Sequence, residues 1–252
     1  MSIYIMTHKK FEPFTNSTDY KTMLVGADFN KADRKYIKDN SFIGNISNKN
    51  ASFCELTGAY WMWKQSNEEI LGLVHYRIYF VNSNGDPISL AEVENMLSNF
   101  DIILPEKVTT TFLGLPCSLK KHFKNGHGKE GLEAWEACKK VILKNNPDFA
   151  DSFDKVENSS EGYFYNMCIM RKDRFDSYHK WLFDTLFEVE KMIDVTKYSK
   201  YNQRMFGFLS ERLMNVWVTY HKLNVKELPI NFSEPISYFK NLKLFLDRKF
   251  SR

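Results

Sequence analysis

The run Ile70-Leu71-Gly72-Leu73-Val74 constrains this chain more than any other stretch. No polar residue interrupts it, so a strand built from it is apolar on both faces and belongs in the middle of a sheet covered on both sides. His75, Tyr76 and Arg77 follow at once. In open α/β sheets ligands bind beyond the carboxyl ends of the strands, which places these three side chains to meet one. Simple strand capping, with His75 as a satisfied core histidine, fits the same spacing.

Other segments repeat that pattern. Residues 2–7 (SIYIMT) form a first strand that hands directly to His8 and Lys9 before the turn at Pro13. A second strand around Met23-Leu24-Val25 leads through Gly26 into a polar loop holding Asp28, Asp33, Asp39 and Asn40. These acids are candidates for a nucleotide's base or ribose, against the commoner role of solvated loop acids. The polar run Asn45, Ser47, Asn48 and Asn50 opens a helix over 51–63, whose apolar period is Phe53, Leu56, Ala59, Tyr60 and Trp63. Glu55 and Thr57 fall near its start, where backbone N–H groups favour an anion or a cap.

A turn at Asn82–Pro87, a helix over 90–100 and a buried strand at Asp101-Ile102-Ile103-Leu104-Pro105 come next. The order β, β, α, β, α, β predicts an α/β domain with a mixed, mostly parallel sheet flanked by helices. Residues 106–131 lose periodicity among Thr, Gly, Lys and His and read as a functional loop or lid. In it His122, His127, Lys120, Lys121 and Lys124 offer a positive face to a diphosphate, or a solvated basic surface. A helix over 132–143, a strand over 161–170, a helix over 174–192 with an aromatic face, and a helix over 203–217 complete the domain. The last helix carries Arg204, Glu211 and Arg212. Glu211 is a candidate base or one half of a salt bridge with either arginine.

Residues 1–235 are therefore expected to be one domain, and 236–252 a basic amphipathic tail suited to an anionic membrane surface or to docking on its own domain. With 43% hydrophobic and 15% aromatic residues over 252 positions, the core is ample. No run of about 18 apolar residues and no leader pattern is present, which points to the cytosol. Cys54, Cys117, Cys138 and Cys168 lack a paired spacing and read as reduced structural thiols. A net charge of +4, spread along the chain, does not favour nucleic acid as a partner.

The segments THKKF (7–11), VGA (25–27), GNISNKNASFCELTGAYWMWK (44–64), GLVHYRIYF (72–80), DIILP (101–105), His122, YNMCIMRKDRFDSYHKWLF (165–183) and RMFGFLSERLMNVW (204–217) together resemble a bacterial polysaccharide glycosyltransferase family. That family is catalogued as domain of unknown function 4422 and found in capsule and exopolysaccharide loci. The resemblance implies a GT-A-like fold. It implies transfer of a sugar, galactofuranose among the candidates, from a UDP-sugar to a lipid-linked oligosaccharide in capsule, exopolysaccharide or O-antigen synthesis. GT-A enzymes end a middle strand in Asp-x-Asp, which holds a divalent ion against the diphosphate; here that strand ends in His75-Tyr76-Arg77.

Within this resemblance Arg77 and His75 are expected to stabilise the leaving diphosphate without a required cofactor, since cationic and imidazole groups can neutralise it directly. A metal held at Asp28 or Asp39 is the alternative. Donor contacts are expected from His8, Lys9, Asp39, Asn45, Asn50, Glu55, Tyr76 and His122, and acceptor contacts from Glu161, Tyr165, Asn166 and Arg204. Glu211 is the first candidate for the base of an inverting reaction, with Glu161 and Glu55 behind it. A carbohydrate- or nucleotide-binding module that has lost chemistry is the rival reading.

Overall fold

The computed structural model describes residues 1–33 and 35–233. Both faces of its central sheet are covered at the middle strands, which is why residues 2–7, 70–74 and 102–105 are buried without interruption. The strands are β1 (Ser2–Thr7), β2 (Tyr20–Leu24), β3 (Ile37–Lys38), β4 (Ile70–His75), β5 (Ile78–Phe80) and β6 (Ile102–Pro105). A ribbon region follows with β7 (Val108–Thr109), β8 (Thr111–Phe112), β9 (Leu115–Pro116) and β10 (Glu161–Gly162), and then β11 (Cys168–Arg171), β12 (Val225–Leu228) and β13 (Ile230–Phe232). The helices are α1 (Asn50–Phe53), α2 (Leu56–Gln65), α3 (Leu90–Met96), α4 (Leu119–Asn145), α5 (Ala150–Asn158), α6 (Lys172–Glu190) and α7 (Met205–His221).

The main sheet runs β12-β6-β11-β4-β1-β2-β3. Along that path the pairings are parallel except those of β11, which runs antiparallel between β4 and β6, and β5 and β13 join the sheet off the path by antiparallel pairings. The reversal brings the start of β11 to the edge where β1 and β4 end, because Cys168 lies opposite Leu73. Alternation along β4 divides the core. Leu71 and Leu73 face the large cluster under α2, α4, α6 and α7, while Ile70 and Val74 face a smaller one with Val93 of α3. The α2 backbone comes so close to the sheet that a Cβ on Gly58 would sit 2.4 Å from Met6 Sδ.

Three sequence expectations are corrected. The segment 106–131 is not an irregular loop: it contains the short strands β7–β9 and the first turns of α4, which begins at an N-cap where Ser118 Oγ accepts from Lys121 N at 3.2 Å. Lys and Gly dilute the apolar period there, and Gly128, at φ 65°, breaks the helix part-way. The helix over 51–63 is two pieces, because Cys54 adopts φ 53° and ψ −131° between α1 and α2. The strand over 161–170 is likewise split, and Tyr165 and Asn166 turn the chain at φ 75° and 53°. All four cysteines are free thiols. No described helix is long and apolar enough to cross a membrane. The tail over 236–252 lies outside the described residues.

Candidate active site

The ends of β1 and β4 form the cationic half of the site. Thr7 Oγ1 donates to the Lys9 carbonyl at 2.6 Å and accepts from Lys9 N at 3.2 Å, which turns the chain just past β1. Tyr76, buried just past β4, presents its ring to both neighbours: Lys9 Nζ lies 5.3 Å from the ring centroid and the Arg77 guanidinium 5.0 Å. The imidazole of His8 meets the same ring edge-on at 5.5 Å. A negative π-face between two cations offsets part of their repulsion, so a ring here lets positive charge gather. Burial, with Lys9, Arg77 and Arg204 nearby, holds the pKa of His8 below the usual imidazole value.

The carboxylate half comes from α7 and the loop before α2. Glu211 Oε1 accepts from Tyr165 N at 3.2 Å and its Oε2 pairs with Arg212 Nη1. Glu55 Oε1 accepts from Asn166 Nδ2 at 2.6 Å. Asn166 is locked on three sides, since Nδ2 also donates to the Gly207 carbonyl at 3.0 Å and Oδ1 accepts from Ser210 Oγ at 2.6 Å. Burial raises the pKa of Glu211; Arg212 works against that shift and the charge of Glu55 adds to it. His75 ties this half to β4. A carbonyl only accepts, so Nε2 of His75 carries the proton it shares with the Tyr165 carbonyl.

Arg204 joins the halves. Its Nε donates to Cys54 Sγ at 3.3 Å, and its charge is felt both by His8 and by the Cys54–Glu55 corner. Three residues with left-handed backbone (Cys54, Tyr165 and Asn166) therefore meet around one cluster, a concentration of strain typical of functional sites.

The remaining expected residues divide. His122 faces the carboxylate half: its ring stands edge-on to Phe164, over which the Arg212 guanidinium lies at 4.6 Å, and its Nδ1 is buried without a partner. Asp39, Asn45 and Asn50 lie beneath the loop after β2. Asp39 is 0% exposed and takes four hydrogen bonds, from Gly26 N (2.6 Å), Ala27 N (3.0 Å), Ser47 Oγ (2.6 Å) and Thr57 Oγ1 (2.6 Å). Asn45 Nδ2 donates to the Phe42 carbonyl at 2.6 Å, and Asn50 Nδ2 to the Cys54 carbonyl at 2.7 Å. Asp39 braces the loop after β2, while Asn45 holds the turn at Phe42 and Asn50 the break at Cys54. Glu161 is exposed on the β7–β10 ribbon and makes no contact with the cluster among the described residues.

Arg212, Ser210 and Gly207 were not singled out as ligands by the sequence. Arg212 did leave a signal, because it falls in register with Leu209, Leu213 and Val216 on the buried face of α7. A charge on an apolar stripe is rarely idle. The side chains at this end, Tyr76, Arg77 and Lys9, are a phenol and two cations and offer no carboxylate to a hard divalent ion, which seeks several oxygen ligands. Glu55 and Glu211 are already engaged by Asn166, Tyr165 and Arg212.

A family model described as "Domain of unknown function (DUF4422)" matches residues 2–222. The chain belongs to that family. Among solved structures, this DUF4422 chain is similar to the apo structure of WbbM, a bifunctional glycosyltransferase, with a TM-score of 0.81 and 26% identity. The match covers 94% of the DUF4422 chain and 47% of the WbbM chain, so the former spans about half the latter's length. No curated protein matches it.

Proposed function

We propose that this chain is an inverting glycosyltransferase that moves a sugar from a UDP-sugar to a lipid-linked oligosaccharide at the cytoplasmic face of the membrane, in the assembly of a surface polysaccharide. Galactofuranose is among the candidate sugars. The observation that carries the reading is the meeting of His8, Lys9, Arg77 and Arg204 with Glu55 and Glu211 where β1 and β4 end and β11 begins. Membership of the family and the likeness to WbbM support it.

As the bond from the anomeric carbon to the β-phosphate oxygen breaks, its electron pair leaves with UDP and negative charge grows on the diphosphate. Lys9, Arg77 and His8 sit at the strand ends that would receive that charge, so they act more strongly in the transition state than in the ground state. Glu211 takes the proton of the acceptor hydroxyl as its oxygen bonds to the anomeric carbon. A carboxylate with a raised pKa is a better base than a free one. Asn166, Tyr165 and Arg204 line the way to that oxygen and bind sugar hydroxyls. No divalent ion is required in this scheme.

The test is UDP release by the purified chain across a panel of UDP-sugars, with and without EDTA. Release with at least one donor, stimulated by acceptor and indifferent to EDTA, is the expected result. Silence across the panel overturns the reading, and UDP binding without turnover would assign a binding module instead.

A further inference from the structure

The hairpin of β8 and β9 breaks the rules that govern such turns. Phe112 pairs with Leu115, and the two residues between them, Leu113 and Gly114, have φ of 53° and 81°. Two consecutive positive φ values favour Asn-Gly or Gly-Gly, and a leucine at the first position is disfavoured. Yet Leu113 is 85% exposed, beside Leu115 at 71% and Phe112 at 42%. No packing in the fold accounts for an apolar side chain there.

The hairpin is firmly rooted. Buried Thr110 donates from N to the Ser160 carbonyl at 2.7 Å and from Oγ1 to the Cys117 carbonyl at 2.6 Å, and Cys117 N returns a bond to the Thr110 carbonyl at 2.9 Å. Lysines surround it. Lys121 Nζ lies 5.9 Å from the Phe112 ring centroid and Lys124, further along α4, is exposed, while Lys107 Nζ lies 5.2 Å from the Tyr163 ring centroid at the root and is exposed too. None of these three has a carboxylate partner among the described residues, whereas Lys120 is engaged by Glu136 and Glu157. The acids Glu106 and Glu161 belong to the β7–β10 region at the root, not to the hairpin.

We infer that this hairpin is a membrane foot: Phe112, Leu113 and Leu115 enter the interface of an anionic bilayer while Lys121 and Lys124 meet its headgroups. Three side chains around a two-residue turn offer less than the roughly 800 Å² per side of a stable protein interface. Shallow apolar insertion with a few cations suffices for lipid. Lys121 is followed in α4 by His122, which faces Phe164 and Arg212, so the foot lies on the carboxylate side of the site. That last relation rests on the proposed function, while lipid binding does not.

The experiment is co-sedimentation of the full chain with vesicles of phosphatidylcholine, with or without phosphatidylglycerol. The wild type should partition onto the phosphatidylglycerol vesicles. Leu113→Asn with Leu115→Ser should lower the partition coefficient at least about tenfold. Its melting temperature should hold or rise, because asparagine tolerates the left-handed turn. Lys121→Gln with Lys124→Gln should weaken binding about tenfold on the anionic vesicles alone. UDP affinity should not move in the leucine variant, which separates failure here from failure of the transferase reading. A leucine variant that partitions like wild type, or a wild type that sediments with neither vesicle, overturns the inference. So does a dimer that the leucine variant converts to monomer in light scattering.

Discussion

Replacing Glu211 by glutamine lowers the rate of sugar transfer by about 10² to 10⁴-fold, the range of a lost general base, and leaves UDP affinity nearly unchanged. Glutamine is the informative substitution because it keeps the shape of the side chain and its one oxygen can still accept from Arg212 Nη1, although its amide nitrogen then faces Tyr165 N. Either substitution removes the counter-charge of Arg212, which is only 7% exposed, but alanine removes the hydrogen bond to it as well, and a buried partner left so costs on the order of 3–5 kcal/mol, which would blur the kinetics. The pH profile supplies a second reading. A base must be ionised to act, so wild-type turnover falls as pH drops through the pKa of Glu211, which burial and Glu55 place above the ordinary carboxylate value. The glutamine variant should lack that limb. If Glu211→Gln retains the wild-type rate while Glu55→Gln abolishes it, the base is Glu55, the other carboxylate of the cluster.

The second large effect is on stability. Asp39→Ala should cost about 4 kcal/mol, read from the urea midpoint, because it strands two backbone N–H groups and two hydroxyls around a side chain that is 0% exposed. UDP affinity should fall with it, since these bonds fix the loop after β2. Gly26, held by Asp39 at φ 62°, has no room for a side chain: a Cβ would lie 2.5 Å from Asn50 Oδ1. Asp39→Asn should be milder but still destabilising, because its amide nitrogen would face a donor. A loss below about 1 kcal/mol would show that solvent reaches this loop and that Asp39 does not hold it.

Local pattern and tertiary strain account for what could be read in advance. β4 and its polar ending were legible because a strand buried on both faces leaves an uninterrupted apolar run. The α/β class followed from the alternation of such runs with helical periods. The start of α4 was not legible, although Ser118 is a proper N-cap, because lysines and glycines thin its apolar stripe. The breaks at Cys54 and at Tyr165-Asn166 were hidden for a different reason. Nothing in a cysteine or a tyrosine announces positive φ, and the surroundings enforce it, with Arg204 on the Cys54 thiol and Glu55, Gly207 and Ser210 on the Asn166 amide. Asp39 and Asn50 were expected as ligand contacts; what the structure adds is their part in the frame, Asp39 accepting from Gly26 N and Ser47 Oγ and Asn50 donating to the Cys54 carbonyl.

The claim beneath the whole account is that side-chain cations at the ends of β1 and β4 receive the diphosphate. Calorimetric titration of UDP into the full chain, first in EDTA and then with magnesium or manganese, tests it most directly. Binding in EDTA that the metal leaves unchanged, and that Arg77→Ala weakens about 10 to 100-fold as expected for a lost charge-assisted hydrogen bond, is the predicted result. UDP binding that appears only when the metal is added, with Arg77→Ala indistinguishable from wild type, would contradict it.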